Sequence, residues 1–265
     1  MKKRSMIKRM TAILTLLLLA IPARPFDTHP ANVQSVLAVP LHRLETADYR
    51  AVGQLVRVDG HGKRTSYSIR LKVHWFPGVL RVMAEIDAPG PERSHLLLET
   101  RQSGQSTIEV AHPGDKAPAV LPFDQWENGL VKSLGSGFSY EDFLEPEYFW
   151  PGQSVTENTK FGARVCDLLT SAPAPSNRTH YAKVKSWLDH GIGYPVYVEK
   201  TLKGTGTTKE FTYFGLRQNG GVWSASQVEE KTHGQDGSTL LVIERGSTKA
   251  NLDLKDFSPE QLTRF

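Results

Sequence analysis

The sequence predicts a mainly β protein, an antiparallel meander with a few helices laid against it. Three observations carry that prediction. From Arg50 onward apolar and polar residues alternate with period two in stretch after stretch. Those stretches are joined by short Gly- and Pro-containing turns with no helical repeat between them, as hairpin-connected strands require. The alternation lapses in one internal region, about 113–153, which is rich in Pro, Gly and aromatics.

The chain begins with Lys2, Lys3, Arg4, Lys8 and Arg9 and no acid, followed by the apolar run Thr11–Ile21 and the small residue Ala23. A bilayer core needs about 20 apolar residues in a helix, so this run is too short for an anchor. Its order of charge, apolar stretch and small residue is that of a cleavable secretory signal peptide over 1–23, which places the mature protein in the periplasm. No Cys lies near residue 23, so the protein is not expected to be a lipoprotein itself. The five leader bases also dominate the net charge: of 32 Lys+Arg and 28 Asp+Glu, residues after 23 hold 27 and 28, a net of −1. That balance gives no basis for a nucleic-acid partner, which needs a basic surface. Cys166 is the single cysteine, so no internal disulfide can form and the fold must rest on its core. With Val165 and Asp167 beside it in an expected strand, it reads as a small buried hydrophobe.

Taken in order, Asn32–Tyr49 places Val33, Val36 and Leu37 on one helical face, with Pro40 expected to kink or end the helix. This N-terminal helical segment occupies 24–48, ahead of one β domain over 49–265. Within that domain Tyr67, Ile69, Leu71, Val73 and Trp75 alternate with Ser66, Ser68, Arg70, Lys72 and His74, giving a strand with one apolar and one wet face. Val52–Val58 precedes it across Asp59-Gly60-His61-Gly62, a hairpin turn. Val79–Ile86, His95–Arg101 and Ser106–His112 continue the first half. Ala163–Leu169, Tyr181–Asp189, Pro195–Leu202, Glu210–Leu216, Val222–Val228 and Thr239–Arg245 make the second. Ser139 with Asp142 three residues on fits a capping-box helix start, and Ser258-Pro259 with Gln261 another.

Residue patterns for catalysis do not assemble. His61, His74, His95, His112, His180, His190 and His233 fall one per element and read as wet-face residues. No pair has zinc-helix spacing. Gly135-Ser136-Gly137 lacks the spacing of a nucleophile elbow, and Gly60-His61-Gly62-Lys63 is followed by a strand rather than the helix of a phosphate loop. Glu141 and Asp142 sit at a helix start, where capping explains them. The expectation is a protein with no catalytic residues, no metal and no cofactor. The one-sided strands need a cover, which the segment before residue 50 and the 123–150 stretch can supply. Incomplete cover leaves an apolar cavity and complete cover a packed core; the pattern is the same for both.

Gly135-Ser136-Gly137-Phe138-Ser139-Tyr140-Glu141-Asp142-Phe143 resembles the Gly-Ser-Asp-Phe-Ser-Tyr-Glu-Asp-Leu segment of the outer-membrane lipoprotein-sorting protein family, the LolA-like carriers. Tyr181-Ala182-Lys183-Val184, Trp187-Leu188-Asp189, Tyr194-Pro195 with Glu199, and Phe257-Ser258 with Leu262 follow in the family's order, so the resemblance spans roughly 45–265. It departs at Gly137, where the family has Asp. The resemblance implies an open antiparallel half-barrel with helices over a concave apolar face that receives acyl chains. On that reading the lining is Tyr67, Ile69, Leu71, Val73, Trp75, Leu80, Val82 and Ile86, and the lid at 113–153 presents Trp126, Phe138, Tyr140, Phe143 and Phe149. The implied function is non-enzymatic carriage of a lipid or lipoprotein acyl chain in the periplasm, with an inner- or outer-membrane transport partner. The alternatives are a protein-binding envelope scaffold and a lipid hydrolase on the same fold.

Overall fold

The computed structural model describes residues 32–135 and 137–265; the expected signal peptide and Ser136 lie outside them. The helix α1 (Val33–Glu45) leads into strands β1 (Asp48–Val58), β2 (Arg64–Phe76), β3 (Val79–Asp87), β4 (Ser94–Arg101), β5 (Ser106–Ala111) and β6 (Ala119–Val120). After the central segment come β7 (Gly152–Phe161), β8 (Arg164–Ala172), β9 (Tyr181–Asp189), β10 (Pro195–Leu202) and β11 (Thr208–Phe214). A small hairpin, β12 (Arg217–Asn219) and β13 (Val222–Ser224), precedes β14 (Gln227–Thr232), β15 (Ser238–Ser247) and the one-turn α2 (Pro259–Leu262). Thirteen strands form one sheet in the order β6-β5-β4-β3-β2-β1-β15-β14-β11-β10-β9-β8-β7, with every pairing antiparallel. β1 beside β15 joins the two ends of the chain in mid-sheet. The sheet is open, with β6 and β7 as its edges.

The β1–β2 turn shows how local chemistry sets register. Asp59 accepts from the backbone N–H of His61 and Lys63, both at 2.9 Å, and its own N–H donates to Lys63 O at 3.0 Å. That turn aligns Leu55 with Tyr67 and Ala51 with Leu71, so the alternating residues of both strands face the same side. On β3 and β4 the same face carries Leu80, Val82, Ala84 and Ile86, then Leu96 and Leu98. These side chains meet Trp126, Leu130, Leu134, Leu144, Tyr148 and Trp150 from the central segment in one core. The two wings of the sheet curl far enough round this segment to touch. Asn177 Nδ2 donates to Ser103 O and Gly104 O at 3.3 and 3.2 Å, and Gln105 Nε2 to Ser176 O at 2.7 Å.

Several expectations need correction. Pro40 does not end the first helix: α1 runs through it, started by Asn32, whose side chain accepts from Ser35 N at 2.8 Å. Pro40 is buried, so packing offsets the single hydrogen bond that its ring removes. The central segment holds four short 3₁₀ turns, Phe123–Gln125, Lys132–Leu134, Tyr140–Phe143 and Pro146–Phe149, in place of a helix. β7 was not expected, and Val222–Val228 is two elements rather than one strand. The wet-face reading fails for His95. It is buried on the opposite side of the sheet, where the C-terminal residues Leu252, Phe257 and Leu262 close over Met83, Leu97 and Ala111.

Candidate functional site

Between the C-terminal end of α1 and the inner face of β1, β2, β3, β14 and β15 lies a cavity of about 250 Å³. Its floor is Leu71, Val73, Leu80, Val82, Val228, Leu241 and Ile243, and its remaining walls include Leu44, Tyr49, Phe143, Tyr194 and Trp223. An apolar cavity of about 150 Å³ already holds a benzene-sized molecule, so this space is large enough for a hydrocarbon ligand. The polar groups that line it are Thr46, Asp48, Ser224, Thr248 and the Arg43–Glu145 ion pair. Arg43 donates through one terminal nitrogen to both carboxylate oxygens of Glu145 at 2.9 Å, which ties α1 to the central segment. Its guanidinium also lies 5.5 Å from the centre of the Tyr194 ring.

Of the eight expected lining residues, Leu71, Val73, Leu80 and Val82 border this cavity. Tyr67, Ile69, Trp75 and Ile86 share their sheet face but pack into the core instead: Ile69 and Ile86 are each 1% exposed, and Trp75 stacks on Phe149 at 6.0 Å. Of the expected lid residues, Phe143 reaches the cavity, whereas Phe149 stacks on Trp75 and packs against the core. Trp126 is fully buried and donates from its indole to Leu121 O at 3.1 Å. Tyr140 packs against the core, and Phe138 packs on Phe143 and Phe211. The β12–β13 hairpin supplies Val222 and Trp223, where the sequence pattern predicts one continuous strand over Val222–Val228.

A second chamber of about 120 Å³ adjoins the first and shares Phe143, Glu145, Val228 and Leu241 with it. Phe138, Phe211 and Tyr213 complete its apolar walls, but Asp142, Glu147 and Lys200 also face it. The expected capping box is present here: Ser139 N–H and O–H both donate to Asp142, at 2.8 and 2.9 Å. Asp142 then takes two further partners, the Lys209 ammonium and the Tyr181 hydroxyl. Burial pushes the Asp142 carboxyl up, but the Lys209 and Lys200 charges outweigh it and hold the group below its ordinary range. Glu147 goes the other way, raised chiefly by burial. Glu141 is 2% exposed and accepts from Thr179 and from the His180 ring, whose Nδ1 lies at 2.9 Å. Lys209 Nζ also donates to Gly137 O at 2.9 Å. A side chain at Gly137 would meet Thr239 Oγ1 at 2.2 Å, so the departure from the Asp of the resembled motif matches a close approach of this loop to β15.

Among the described residues, no group of three or more His, Cys, Asp or Glu is placed to hold a metal ion, and no helix is long and apolar enough to cross a membrane. Cys166, within β8, is buried, and burial pushes its thiol up to about 11.

Solved structures with this architecture are known. A domain from Vibrio parahaemolyticus, described as that of a candidate outer-membrane lipoprotein-sorting protein, superposes with a TM-score of 0.75 at 21% identity, over 88% of this chain and 100% of that one. A DUF1329 family protein from Desulfovibrio piger gives 0.73 at 12%, over 87% and 98%. A LolA superfamily protein from Nitrosomonas europaea gives 0.62 at 14%, over 88% and 100%. At such identities the likeness is one of fold. No curated protein matches the chain in sequence. A family model described as "Uncharacterized protein" matches residues 128–264, more than half of the chain. The chain therefore belongs to that uncharacterized family, and its mainly β architecture, an open antiparallel sheet with few helices, is the LolA-like fold.

Proposed function

We propose that the protein is a non-enzymatic periplasmic carrier or binding protein for lipoprotein acyl chains or another lipid, serving outer-membrane lipoprotein sorting or envelope lipid transport. The observation that supports this most directly is the apolar cavity of about 250 Å³ between α1 and the sheet. The LolA-like fold is consistent with it. Moving each CH₂ of an acyl chain out of water contributes about 0.8 kcal/mol, so a chain with ten buried methylenes gains about 8 kcal/mol before ordering costs. The same burial opposes release, so delivery requires a receptor or a second conformation with lower affinity. A membrane transport partner would supply that step. The ligand-binding residues on this reading are Leu71, Val73, Leu80 and Val82, with Phe143, Trp223, Leu241 and Ile243.

Native mass spectrometry with lipid extraction, on protein purified from its own envelope fraction, tests the proposal. We expect a co-purifying acylated species, diminished about tenfold in Trp223→Ala, which removes a cavity wall outside the main sheet. Protein that carries no lipid and ignores added lipids and acylated peptides would refute the carrier reading and favour the scaffold.

A further inference from the structure

Lys200 is a buried cation that makes no direct hydrogen bond among the described residues. It projects from β10 on the same face as Val198 and is 4% exposed. Its closest carboxylate, Glu147, is equally buried but stands 3.8 Å away, beyond hydrogen-bond range. Its other contacts are the faces of Tyr181 and Phe211, each 5.3 Å from Nζ. The neighbouring Lys209 is different, donating to Gly137 O and to Asp142. Among the described residues, Lys200 Nζ has no hydrogen-bond acceptor, and it faces the 120 Å³ chamber that adjoins the apolar cavity. An ammonium has three donors, and leaving them unmet in a buried site is costly.

We propose that the second chamber is the polar subsite of the ligand cavity, where Lys200 donates to an uncharged acyl carbonyl oxygen, that of an ester or amide, while the attached chain fills the larger space. The inference rests on the lipid-binding reading and names the chemical class of its ligand. The charges around the chamber select a neutral acceptor. Asp142, Glu145 and Glu147 line it with Lys200 and are already matched by the cations of Lys209, Arg43 and Lys200, so an anionic headgroup would add a buried negative charge with no counter-ion of its own. A carbonyl takes the vacant donor without adding charge. Its size also fits a chamber whose other walls are Phe138, Phe143, Phe211 and Tyr213.

Competitive displacement of a bound fluorescent fatty probe tests this with matched ligands. Monopalmitoylglycerol carries the ester carbonyl, 1-O-hexadecylglycerol replaces it with an ether, and palmitate carries a full charge. We expect the ester to bind about tenfold more tightly than the ether, the effect of one hydrogen bond from a charged donor. Lys200→Met should abolish that difference. Because this leaves Glu147 buried without its cation, Lys200→Met combined with Glu147→Gln provides a second, charge-balanced variant. Equal ester and ether affinities in the wild type would overturn the inference while leaving lipid binding intact, and palmitate binding more tightly than the ester would overturn it too. Failure of every amphiphile to bind would remove the carrier reading, and this inference with it. An S-diacylglyceryl-cysteine peptide added to the series identifies the source: tighter binding than the monoglyceride marks a lipoprotein end, weaker binding a free acyl lipid, and in both cases loss of affinity in the Lys200 variants supports the assignment.

Discussion

Replacing Asp142 by Asn should cost about 3–5 kcal/mol of stability, the range for removing one partner of a buried ion pair. The Asp142 side chain is fully buried and the Lys209 side chain 7% exposed. Asn keeps the shape and retains an acceptor for Ser139, whose bonds to Asp142 measure 2.8 and 2.9 Å. What it removes is the negative charge facing the Lys209 ammonium. The loss is thus mainly that of an uncompensated buried cation, and it is large against a typical total of about 5–15 kcal/mol. Urea unfolding followed by tryptophan fluorescence at neutral pH gives the difference. Lys209→Met in the Asp142→Asn background removes the stranded cation, so the double variant should be more stable than the sum of the two losses predicts, by at least about 1 kcal/mol. The pH dependence has a definite sign. Burial raises the Asp142 carboxyl, Lys209 and Lys200 lower it, and the net position is below the ordinary value. Its contribution is therefore complete above the unfolded carboxylate pKa of about 3.9 and disappears as pH falls through the lower folded value. The acid limb of the wild-type stability curve should flatten in Asp142→Asn. A cost under about 1 kcal/mol, with additive double-variant losses, would refute the reasoning.

Gly137→Asp, which restores the residue of the resembled motif, should destabilise by about 1–3 kcal/mol because its Cβ would sit 2.2 Å from Thr239 Oγ1; thermal unfolding should show partial recovery with Thr239→Ala. Leu262→Ala should cost about 2–5 kcal/mol, since this residue is 0% exposed in the C-terminal closure over Met83 and Leu97. His95, held below the usual imidazole range chiefly by burial beneath that closure, should titrate closer to its ordinary value in the Leu262 variant, as read by NMR. Cys166, buried with its thiol pushed up to about 11, should react with iodoacetamide only as fast as the protein opens; rapid labelling of the native state would contradict its placement.

What could be read from the sequence depended on whether the signal was local. Tyr67 to Trp75 alternates cleanly because one side of β2 faces water and the other faces the covering segments. The same parity carries a further signal: Val198, Lys200 and Leu202, then Lys209, Phe211 and Tyr213, put two lysines on the inward face. A lysine on an apolar face signals a buried partner, but Asp142 and Glu147 lie more than 50 residues away in the chain and on a different element. β7 left no comparable trace. It is the sheet's edge, its Ser154, Thr156, Glu157, Asn158 and Lys160 are polar, and an exposed edge strand has little apolar pattern to show. Val222–Val228 looked continuous because its residues suit a strand; the break appears only where Ser226 N–H turns back to Phe214 O at 3.1 Å and Gly215 O at 3.3 Å.

By itself, then, the sequence determined the mainly antiparallel β class, most strand positions, the inward face of the first wing and the capping box at Ser139. Each follows from residue periodicity or from contacts a few positions apart. Tertiary structure alone decided that Ile69 and Ile86 are packed solid while Leu71 and Val82, on the same face, border open space. It also decided that Trp223 walls that space, that the C-terminal residues close the opposite face over His95, and that Lys200 meets no hydrogen-bond acceptor among the described residues. The physical reason is common to all of these: a strand's alternation states which way a side chain points, but what it meets there is set by elements brought in from distant parts of the chain.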